Sequence, residues 1–426
     1  MKAPWPADPP RGPFRRTFWR SPLRGPWLTS VLGLLLLLTV PIVAITGLLS
    51  NVAYDPRLGA NAVGRHLGPL DFYLFSWPTS PSWLYALNQG LHVTLGLATI
   101  PILLAKLWSV IPRLFEWPPF QSPAHALERL SLILLVGGAG FEWVTGVLNI
   151  QDDYAFGFFF TDAHYYGAWV FIAALSFHVC VKFPTVWRNL ATRRALRPLL
   201  EGVDATAPES RSPVDSDLIP VTPAAPTISR RALLGTVMAG SGLLLVQGVG
   251  QSVGGPLRDL AFLAPRGRAP GRGPNGFQIN QTFANTGIDP SQVGRGWRLH
   301  VHGRTSLALT RERLLSMPQH TYDLPIACVE GWSTTQRWTG VRLRDLARMV
   351  GSADASELTS SSLEQGSSYS QATYSEDQLN DGRALLALRV NGAELSLDHG
   401  YPARVIIPAL PGVHNTKWID SLVFRT

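Results

Sequence analysis

The sequence predicts an N-terminal all-α transmembrane four-helix bundle, a fifth transmembrane helix and a C-terminal mixed α+β domain. Long uncharged apolar runs are confined to the first 255 residues, and basic residues cluster at the ends of those runs. Beyond residue 275, short alternating runs between Gly and Pro are typical of strands. The predicted segments are a cytoplasmic tail (1–27), a membrane domain (28–190), a cytoplasmic linker (191–229), the fifth helix (230–255) and the α+β domain (256–426).

The net charge of +8 raises the question of a nucleic-acid partner. Positive charge is carried almost wholly by Arg, with Lys only at positions 2, 106, 182 and 417. Because these charges flank hydrophobic runs, their distribution is that of a membrane protein. We therefore expect membrane lipid, and no nucleic acid, as a partner.

Four membrane helices are predicted in the first 190 residues. The run 27–50 is long enough, at about 1.5 Å per residue, to cross a hydrocarbon core about 30 Å thick. A signal peptide would be shorter and would end in a small-residue cleavage site. The other three spans are predicted at 83–110, 127–150 and 165–187, and the basic residues place both ends of this unit on the inner side.

The stretch after the fourth helix changes character twice. Residues 198–228 are rich in Asp, Ser, Pro, Ala and Thr, which predicts a flexible linker. Ser229-Arg-Arg then opens a Gly-rich, moderately apolar run to about Gly254. This run is interpreted either as an ordinary fifth membrane helix or as a retained twin-arginine export signal, and the two are compatible. Either way, residues 256–426 are predicted to lie outside the cell membrane.

Residues 256–274 are predicted to be an extended connector to the α+β domain. Strands are expected at 297–303 and 384–390, and one helix at 343–350, ended by Gly351 as a C-cap.

Cys328 is one of only two cysteines. The other, Cys180, lies in a predicted membrane helix, so the two are not expected to pair. A strand predicted over 322–329 and a turn at Glu330-Gly331 place the Cys328 thiol at a strand end, where reactive groups are often presented. On spacing alone a lone cysteine is more often a small buried hydrophobe than a ligand.

A resemblance to a known protein family favours the interpretation of Cys328 as a metal ligand. Five sequence blocks occur in order: Cys328-Val-Glu-Gly-Trp-Ser333, Trp338-Thr-Gly-Val-Arg-Leu-Arg-Asp-Leu346, Asn391-Gly392, Asp398-His-Gly-Tyr-Pro-Ala-Arg404 and Gly412-Val-His-Asn-Thr-Lys-Trp418. Together they resemble the molybdopterin-binding domain of the sulfite oxidase superfamily, most of all its periplasmic protein-methionine-sulfoxide reductase branch. The resemblance implies that Cys328 binds molybdenum beside the pterin dithiolene, and that an oxygen atom is transferred on a sulfur compound.

The same resemblance implies a set of pterin-binding residues. Arg404 and Lys417 match basic residues that reach the pterin or its phosphate, although Arg404 also suits a simple strand-end charge. The segment at 280–282 departs from the family's commoner Arg-Asn-His. The implied set is Asn280, Gln281, Thr282, Cys328, His399, Arg404, Lys417 and Trp418.

Other residues are expected around the substrate. Tyr369 aligns with an active-site tyrosine of the sulfite-oxidising relatives, or is a solvent-facing strand residue. Trp332 and Trp338 either wall the pocket or belong to the core. Arg337 and Arg342 are the only arginines near Cys328 in sequence, whereas sulfite-oxidising relatives gather several. Selectivity for sulfite over a sulfoxide, such as oxidised methionine, therefore stays open.

Histidines in the membrane domain resemble the haem ligands of cytochrome b subunits. His164 and His178 are 14 residues apart, which returns to within about 40° of one helix face. Depth instead pairs His92 with His178, and leaves His164 with a loop residue such as His66. Glu142 is a candidate proton acceptor for quinol chemistry. Alternatively, these histidines only hydrogen-bond between helices of a cofactor-free anchor.

Three hypotheses follow. In the first, a molybdopterin oxidoreductase on the outer side of the cell membrane exchanges electrons with the quinone pool through haem b. In the second, the same enzyme has a haemless anchor and a soluble electron carrier. In the third, the ectodomain retains the fold without metal or catalysis.

Overall fold

A computed structural model describes residues 5–6, 8–58, 61, 75–151, 155–191, 196–210, 216–264, 271–367 and 369–426. The chain divides into two compact units. The first unit consists of Met1–Ala44, Leu95–Asn149 and Tyr154–Leu245; the second consists of Ile45–Thr94, Ile150–Asp153 and Val246–Thr426.

Five of the described helices are long and apolar enough to span a membrane. They lie within a few residues of the predicted spans, and the grouping of the first four as one bundle stays a prediction. These five helices are α1 (Pro26–Tyr54), α2 (Leu84–Leu114), α3 (Pro123–Ile150), α4 (Phe160–Leu190) and, after the short α5 (Arg197–Leu200), α6 (Arg230–Val253).

Polar contacts and a glycine join the helices of the first unit. Lys106 Nζ in α2 donates to the Thr29 carbonyl of α1 at 2.7 Å, and Trp143 Nε1 in α3 donates to the Gly96 carbonyl at 2.8 Å. A Cβ on Gly138 of α3 would lie 3.2 Å from Phe171 Cβ of α4. Small residues therefore let α3 and α4 approach closely, as packing in membranes favours.

The described part of the predicted flexible linker is not extended but packed within the first unit. Glu209 accepts a hydrogen bond from the Trp27 backbone N–H at 2.9 Å, and Arg230 donates to the Ala207 carbonyl at 2.9 Å. Glu209 thus serves one of the unpaired N–H groups at the start of α1, where negative charge is favourable. The polar composition gave no sign of this cap, and the flexible linker stays a prediction.

The structure also differs from the prediction of an extended connector at 256–274. Gly255–Leu260 form a 3-10 helix with Pro256 in its first turn, where the missing N–H is tolerated. Arg258 in this turn is buried, and its guanidinium donates to the Gln251 carbonyl at 3.0 Å. The rest of the connector is described only from residue 271 onward.

A mixed β-sheet, an antiparallel β-sheet and three short α-helices build most of the rest of the second unit. The first sheet has the order β2-β1-β10-β5-β6, with β1 parallel to β10, and the second has the order β3-β4-β7-β8, with β9 paired to β7. The strands are β1 (Arg298–His302), β2 (Ser306–Thr310), β3 (His320–Ala327), β4 (Ser333–Arg342), β5 (Glu357–Ser362), β6 (Gln371–Ser375), β7 (Leu385–Val390), β8 (Ala393–Glu394), β9 (Arg404–Ile406) and β10 (Ile419–Arg425). The helices are α7 (Arg311–Leu315), α8 (Leu343–Met349) and α9 (Glu376–Asn380).

The predicted strands near 297–303 and 384–390 are confirmed as β1 and β7, and the predicted helix as α8. Alternate residues of β1, Leu299 and Val301, are buried against Leu343 and Leu346 of α8 in one core cluster. Gly351 follows α8 with φ +73°, the left-handed conformation expected of a helix-ending glycine.

Candidate functional site

Cys328 follows β3 directly and begins a tight loop to β4. Its backbone N–H donates to the Trp332 carbonyl at 2.9 Å, and its carbonyl accepts from the Gly331 N–H at 3.0 Å. Gly331 has φ +89°, which favours glycine. The thiol therefore lies at a strand end and the chain turns directly after it, as predicted. The strand itself ends two residues earlier than expected.

The immediate surroundings of the thiol are largely apolar. Cys328 is only 4% exposed and shares a cluster with Ile326, Trp332 and Trp338. The Trp332 indole donates to Glu330 at 3.1 Å and the Trp338 indole donates to the Leu324 carbonyl at 3.2 Å. Both tryptophans are thus buried in the cluster that contains Cys328, and the choice between a core role and a pocket wall stays open. Burial alone suits either a structural cysteine or a ligand.

Two buried cations, Arg404 and Lys417, lie in the same domain. Arg404 donates to the carbonyls of Asn415 at 3.0 Å and His399 at 3.5 Å, and its guanidinium lies 5.6 Å from the centroid of the Trp338 ring. Lys417 Nζ donates to the Gln281 carbonyl at 2.6 Å and the Asp398 carbonyl at 3.0 Å. Within the described residues, these cations bond to carbonyls and form no ion pair with a carboxylate.

Burial and the charge of Arg404 lower the pKa of Lys417 well below its ordinary value, although Asp398, Glu364 and Cys328 act in the opposite direction. The Cys328 thiol is thus within electrostatic range of this lysine. Burial likewise lowers the pKa of Arg404. Buried charges are unfavourable unless they are paired, so this arrangement suits an added anionic group such as a phosphate.

The structure gathers several of the predicted pterin-binding residues around Lys417. Gln281 donates to Glu364 at 2.6 Å, and the Trp418 indole donates to the Leu397 carbonyl at 2.7 Å. Gln281, Lys417 and Trp418 therefore lie together. The side chains of Asn280 and Thr282, which flank Gln281, make no hydrogen bond within the described part of the chain.

The histidines of this region are buried and uncharged at neutral pH. His399 stacks on Phe277 with ring centroids 3.7 Å apart, and its Nε2 lies 2.9 Å from the Asn275 carbonyl. Burial lowers the pKa of His399 to about 4 and the pKa of His414 to about 4. Both side chains can therefore act as neutral hydrogen-bonding groups.

Two of the buried polar atoms that have no hydrogen-bond partner among the described residues lie within three residues of Lys417: His414 Nε2 and Asn415 Nδ2. Leaving such an atom unsatisfied costs about 1–3 kcal/mol, and native structures usually give it a partner. Two unsatisfied donors or acceptors, close in sequence to Lys417, fit a site that a polar cofactor completes. Both residues lie within the Gly412–Trp418 block, but neither was predicted to bind the pterin.

We expect the buried histidines to destabilise the cofactor-free protein in acid. A folded-state pKa of about 4 for His414 means that, between pH 6.5 and about 4, the unfolded chain binds more protons. The free energy of unfolding should therefore fall as the pH falls through this window, by up to about 1.4 kcal/mol per pH unit.

Thermal unfolding of the detergent-purified chain at a series of pH values measures this effect. His414→Gln should flatten the slope, whereas His320→Gln, at a half-exposed histidine 3.8 Å from Asp345, should keep it. An unchanged slope in His414→Gln would show that other groups carry the acid sensitivity.

The ends of α1 and α2 also contribute to the second unit, which sequence analysis missed. The Tyr54 ring lies 5.3 Å from the His414 ring, and the Trp77 indole donates to the Ala409 carbonyl at 2.8 Å. Gln89 Nε2 donates to the Val329 carbonyl at 2.7 Å, across 240 residues of sequence. No periodicity or motif links positions so far apart, so only the fold reveals them.

The residues predicted to lie around the substrate differ in their exposure and in their partners. Tyr369 is 36% exposed, beyond β5, and lies within electrostatic range of Tyr54 and Tyr85. Arg337 forms an ion pair with Asp323 at 3.0 Å, and Arg342 donates to the Tyr322 hydroxyl at 3.2 Å. Both arginines thus have partners of their own, and Tyr369 stays a candidate.

The candidate haem ligands fall in different units: His164 and His178 in the first, His92 in the second. His178 lines an apolar cavity of about 180 Å³ together with Lys106, Arg113 and Lys182. His164 Nδ1 lies 3.0 Å from Glu142, the predicted proton acceptor. His92 Nδ1 lies 3.5 Å from Thr46 Oγ1. His66 lies outside the described residues.

These groups do not form a preassembled metal centre. Among the described residues there is no group of three or more His, Cys, Asp or Glu side chains placed to hold a metal ion. The residues lining the cavity include one imidazole, His178, and three cations. Arg113 is paired with Asp217 at 2.6 Å and Lys182 with Glu128 at 3.2 Å, so two of these cations already have carboxylate partners.

Comparison with known proteins bears on the C-terminal part. Residues 286–426 match the family model of the oxidoreductase molybdopterin binding domain. The uncharacterised oxidoreductase YuiH of Bacillus subtilis is 30% identical over 131 residues, covering 30% of this chain and 65% of YuiH. Mitochondrial sulfite oxidase of Rattus norvegicus is 28% identical over 158 residues, covering 30% of this chain and 28% of that protein. Nitrate reductase [NADH] of Volvox carteri is 26% identical over 170 residues, covering 32% of this chain and 20% of that protein.

The chain spans less than two thirds of the length of each of these relatives. The sulfane dehydrogenase SoxCD of Paracoccus pantotrophus aligns with 31% of this chain and 38% of its own at 24% identity and a TM-score of 0.29, too low to bear on the fold. The C-terminal part of the chain is a molybdopterin-binding oxidoreductase domain. The same part of the chain is similar to the mitochondrial sulfite oxidases.

Proposed function

We propose that this chain is a membrane-bound oxidoreductase that reduces a sulfoxide, such as oxidised methionine, at a molybdenum–pterin centre held by Cys328. The observation that carries the proposal is the pair of buried cations, Arg404 and Lys417, with no carboxylate ion pair in the described structure and with Lys417 in electrostatic range of Cys328. The molybdopterin-binding domain match covers all three residues.

The residues fit that cofactor by their chemistry. The Cys328 thiolate would hold the metal, since a soft anionic sulfur suits molybdenum. Lys417 and Arg404 would hold the anionic pterin phosphate through charge-assisted hydrogen bonds. His414 Nε2 and Asn415 Nδ2 would find partners on its polar edges. His399, Gln281 and Trp418 would position these groups, and Asn280 and Thr282 lie beside them. When bound, the centre supplies oxygen-atom transfer coupled to two electrons.

A neutral sulfoxide is favoured over sulfite as the substrate. Its reduction consumes two electrons and two protons and releases the sulfide and water. An anion such as sulfite is best held by several unpaired cations. Here Arg404 and Lys417 are assigned to the pterin phosphate and Arg337 is paired with Asp323, which leaves Arg342, bound to the neutral Tyr322 hydroxyl, as the one remaining cation of these four. Tyr369 is our candidate for a hydrogen bond to the substrate oxygen.

The helices would anchor the enzyme in the cell membrane and deliver electrons. Five helices are long and apolar enough for this, and Ser229-Arg-Arg suits an export signal that would carry the folded domain to the outer side. For the electron route we propose that a haem b binds in the His178 cavity and receives electrons from quinol. His92 and His164 are then secondary candidates for haem ligands. His164 already contacts Glu142, and His92 lies 3.5 Å from Thr46 Oγ1.

A haemless anchor served by a soluble electron carrier is the second candidate. It is favoured by the single imidazole among the described residues that line the cavity, and by the 3.0 Å contact of His164 with Glu142. In that case Arg113 and Lys182 of the cavity keep their carboxylate partners Asp217 and Glu128.

Metal analysis and an optical spectrum of detergent-purified protein test these proposals together. Stoichiometric molybdenum with a b-type haem spectrum supports the first function, and molybdenum without haem selects the soluble carrier. Absence of molybdenum from freshly isolated protein would select a non-catalytic ectodomain.

For the haem we expect His178→Ala to lose the b-type absorption bands and His164→Ala to retain them. The reason is that His178 lines the cavity, whereas His164 already lies 3.0 Å from Glu142. Pyridine haemochrome analysis of both variants, expressed side by side, gives haem per chain. Loss of haem from His164→Ala alone would place the haem elsewhere.

A further inference from the structure

The loop that carries Cys328 is held by side chains from two long helices. Three consecutive backbone carbonyls accept one hydrogen bond each. Val329 accepts from Gln89 Nε2 at 2.7 Å, Glu330 from Gln251 Nε2 at 2.8 Å and Gly331 from Ser252 Oγ at 2.8 Å. Gln89 lies near the start of α2, and Gln251 and Ser252 lie near the end of α6.

Both glutamine amides are held in orientation by further hydrogen bonds. Ser50 Oγ donates to Gln89 Oε1 at 2.9 Å, and Gln247 Nε2 donates to Gln251 Oε1 at 3.1 Å. Each amide oxygen is therefore engaged, and each amide nitrogen is directed to the loop. Both glutamine side chains are buried, so an unmade hydrogen bond would not be replaced readily by water.

Steric contacts add to these hydrogen bonds. A Cβ on Gly331 would lie 2.7 Å from Val93 Cβ of α2, so only glycine allows the loop to approach this helix. Ser333, at the start of β4, donates its hydroxyl to the Ser252 carbonyl. The loop is thus fixed at its middle and at its end by the two helices, in addition to its own strand pairing.

We propose that Gln89, Gln251 and Ser252 are positioning residues for the metal ligand Cys328, an inference that rests on the proposed molybdenum site. Cys328 lies at one end of the five-residue loop 328–332, so the orientation of its sulfur depends on where the following peptides lie. Outer-shell groups that orient a ligand typically change metal affinity or activity about 10–100-fold. The helix ends are in this sense part of the active site.

The test uses the full chain, purified in detergent with its cofactors. Gln89→Met and Gln251→Met keep the side-chain length but remove the donor, and Ser252→Ala is the mildest change. We expect kcat for sulfoxide reduction to fall about 10–100-fold, with KM and molybdenum content near wild type. The g values of the molybdenum(V) electron paramagnetic resonance signal should also shift, which a general loss of stability would not cause.

Ser241→Ala is the matched control. Ser241 lies in α6, is buried, and its hydroxyl has no partner within the described structure, so kcat and g values should stay at wild type.

Unchanged g values and kcat in all three variants, with a normal wild-type signal, would overturn the positioning role alone. Absence of molybdenum from the wild type would overturn the proposed function and this inference with it. If the glutamine variants fail to fold, Ser252→Ala decides, since removing one hydroxyl leaves the packing intact.

Discussion

A Cys328→Ser variant is expected to lose more than about a hundredfold in turnover, because even outer-shell changes at metal sites cost about 10–100-fold. Serine is nearly isosteric but offers a harder, far less acidic oxygen in place of the thiolate. The fold should persist, since the loop is held by its backbone hydrogen bonds and by the helix ends. Steady-state sulfoxide reduction, molybdenum content and the optical spectrum measure the three consequences separately.

Cys180→Ser is the natural control, since Cys180 is the other free cysteine and is exposed on α4. Its activity and molybdenum content should match wild type. Full activity in Cys328→Ser would reduce Cys328 to a buried apolar side chain, as its cluster with Ile326 and Trp338 allows. Loss of any haem spectrum from that variant would contradict a separate location for the electron-transfer group.

The long helices were predicted to within a few residues because uniform apolarity over more than twenty positions has few alternatives in structure. The contacts of the linker were not predicted, because the hydrogen bond from the Trp27 N–H to Glu209 depends on where the chain returns in space. The parallel pairing of β1 with β10 is equally invisible in sequence, because its partners, such as Val301 and Leu422, lie at opposite ends of the domain.

The candidate site shows the same division. Cys328, Arg404 and Lys417 were found because the family resemblance marks short contiguous blocks. Gln89 and Gln251 were not found, because isolated glutamines in apolar helices belong to no motif and gain meaning only where they meet the loop carbonyls. A polar residue within a predicted membrane helix is a sequence signal for a functional role, but it does not identify the partner.

Replacing Lys417 with methionine is expected to move cofactor binding and stability in opposite directions. A hydrogen bond to a charged group contributes about 1.5–3 kcal/mol, so the affinity for the anionic cofactor should fall roughly 10–150-fold. The cofactor-free variant should unfold at a higher temperature than cofactor-free wild type, because a buried cation without a carboxylate ion pair is unfavourable. Molybdenum content after expression and thermal unfolding in detergent report the two effects.

The pH dependence separates this explanation from a loss of packing. The pKa of Lys417 is lowered by burial, so below the ordinary lysine pKa the unfolded chain binds more protons than the folded chain. The stability of the cofactor-free wild type should therefore rise with pH as the ordinary lysine value is approached from below, and this rise should be absent in Lys417→Met. Arg304→Met, which removes an exposed cation paired with Asp354, should change neither the slope nor the molybdenum content. A Lys417→Met protein that keeps its molybdenum and the wild-type pH slope would mean that Lys417 only satisfies the carbonyls of Gln281 and Asp398, and that the pterin phosphate is bound elsewhere.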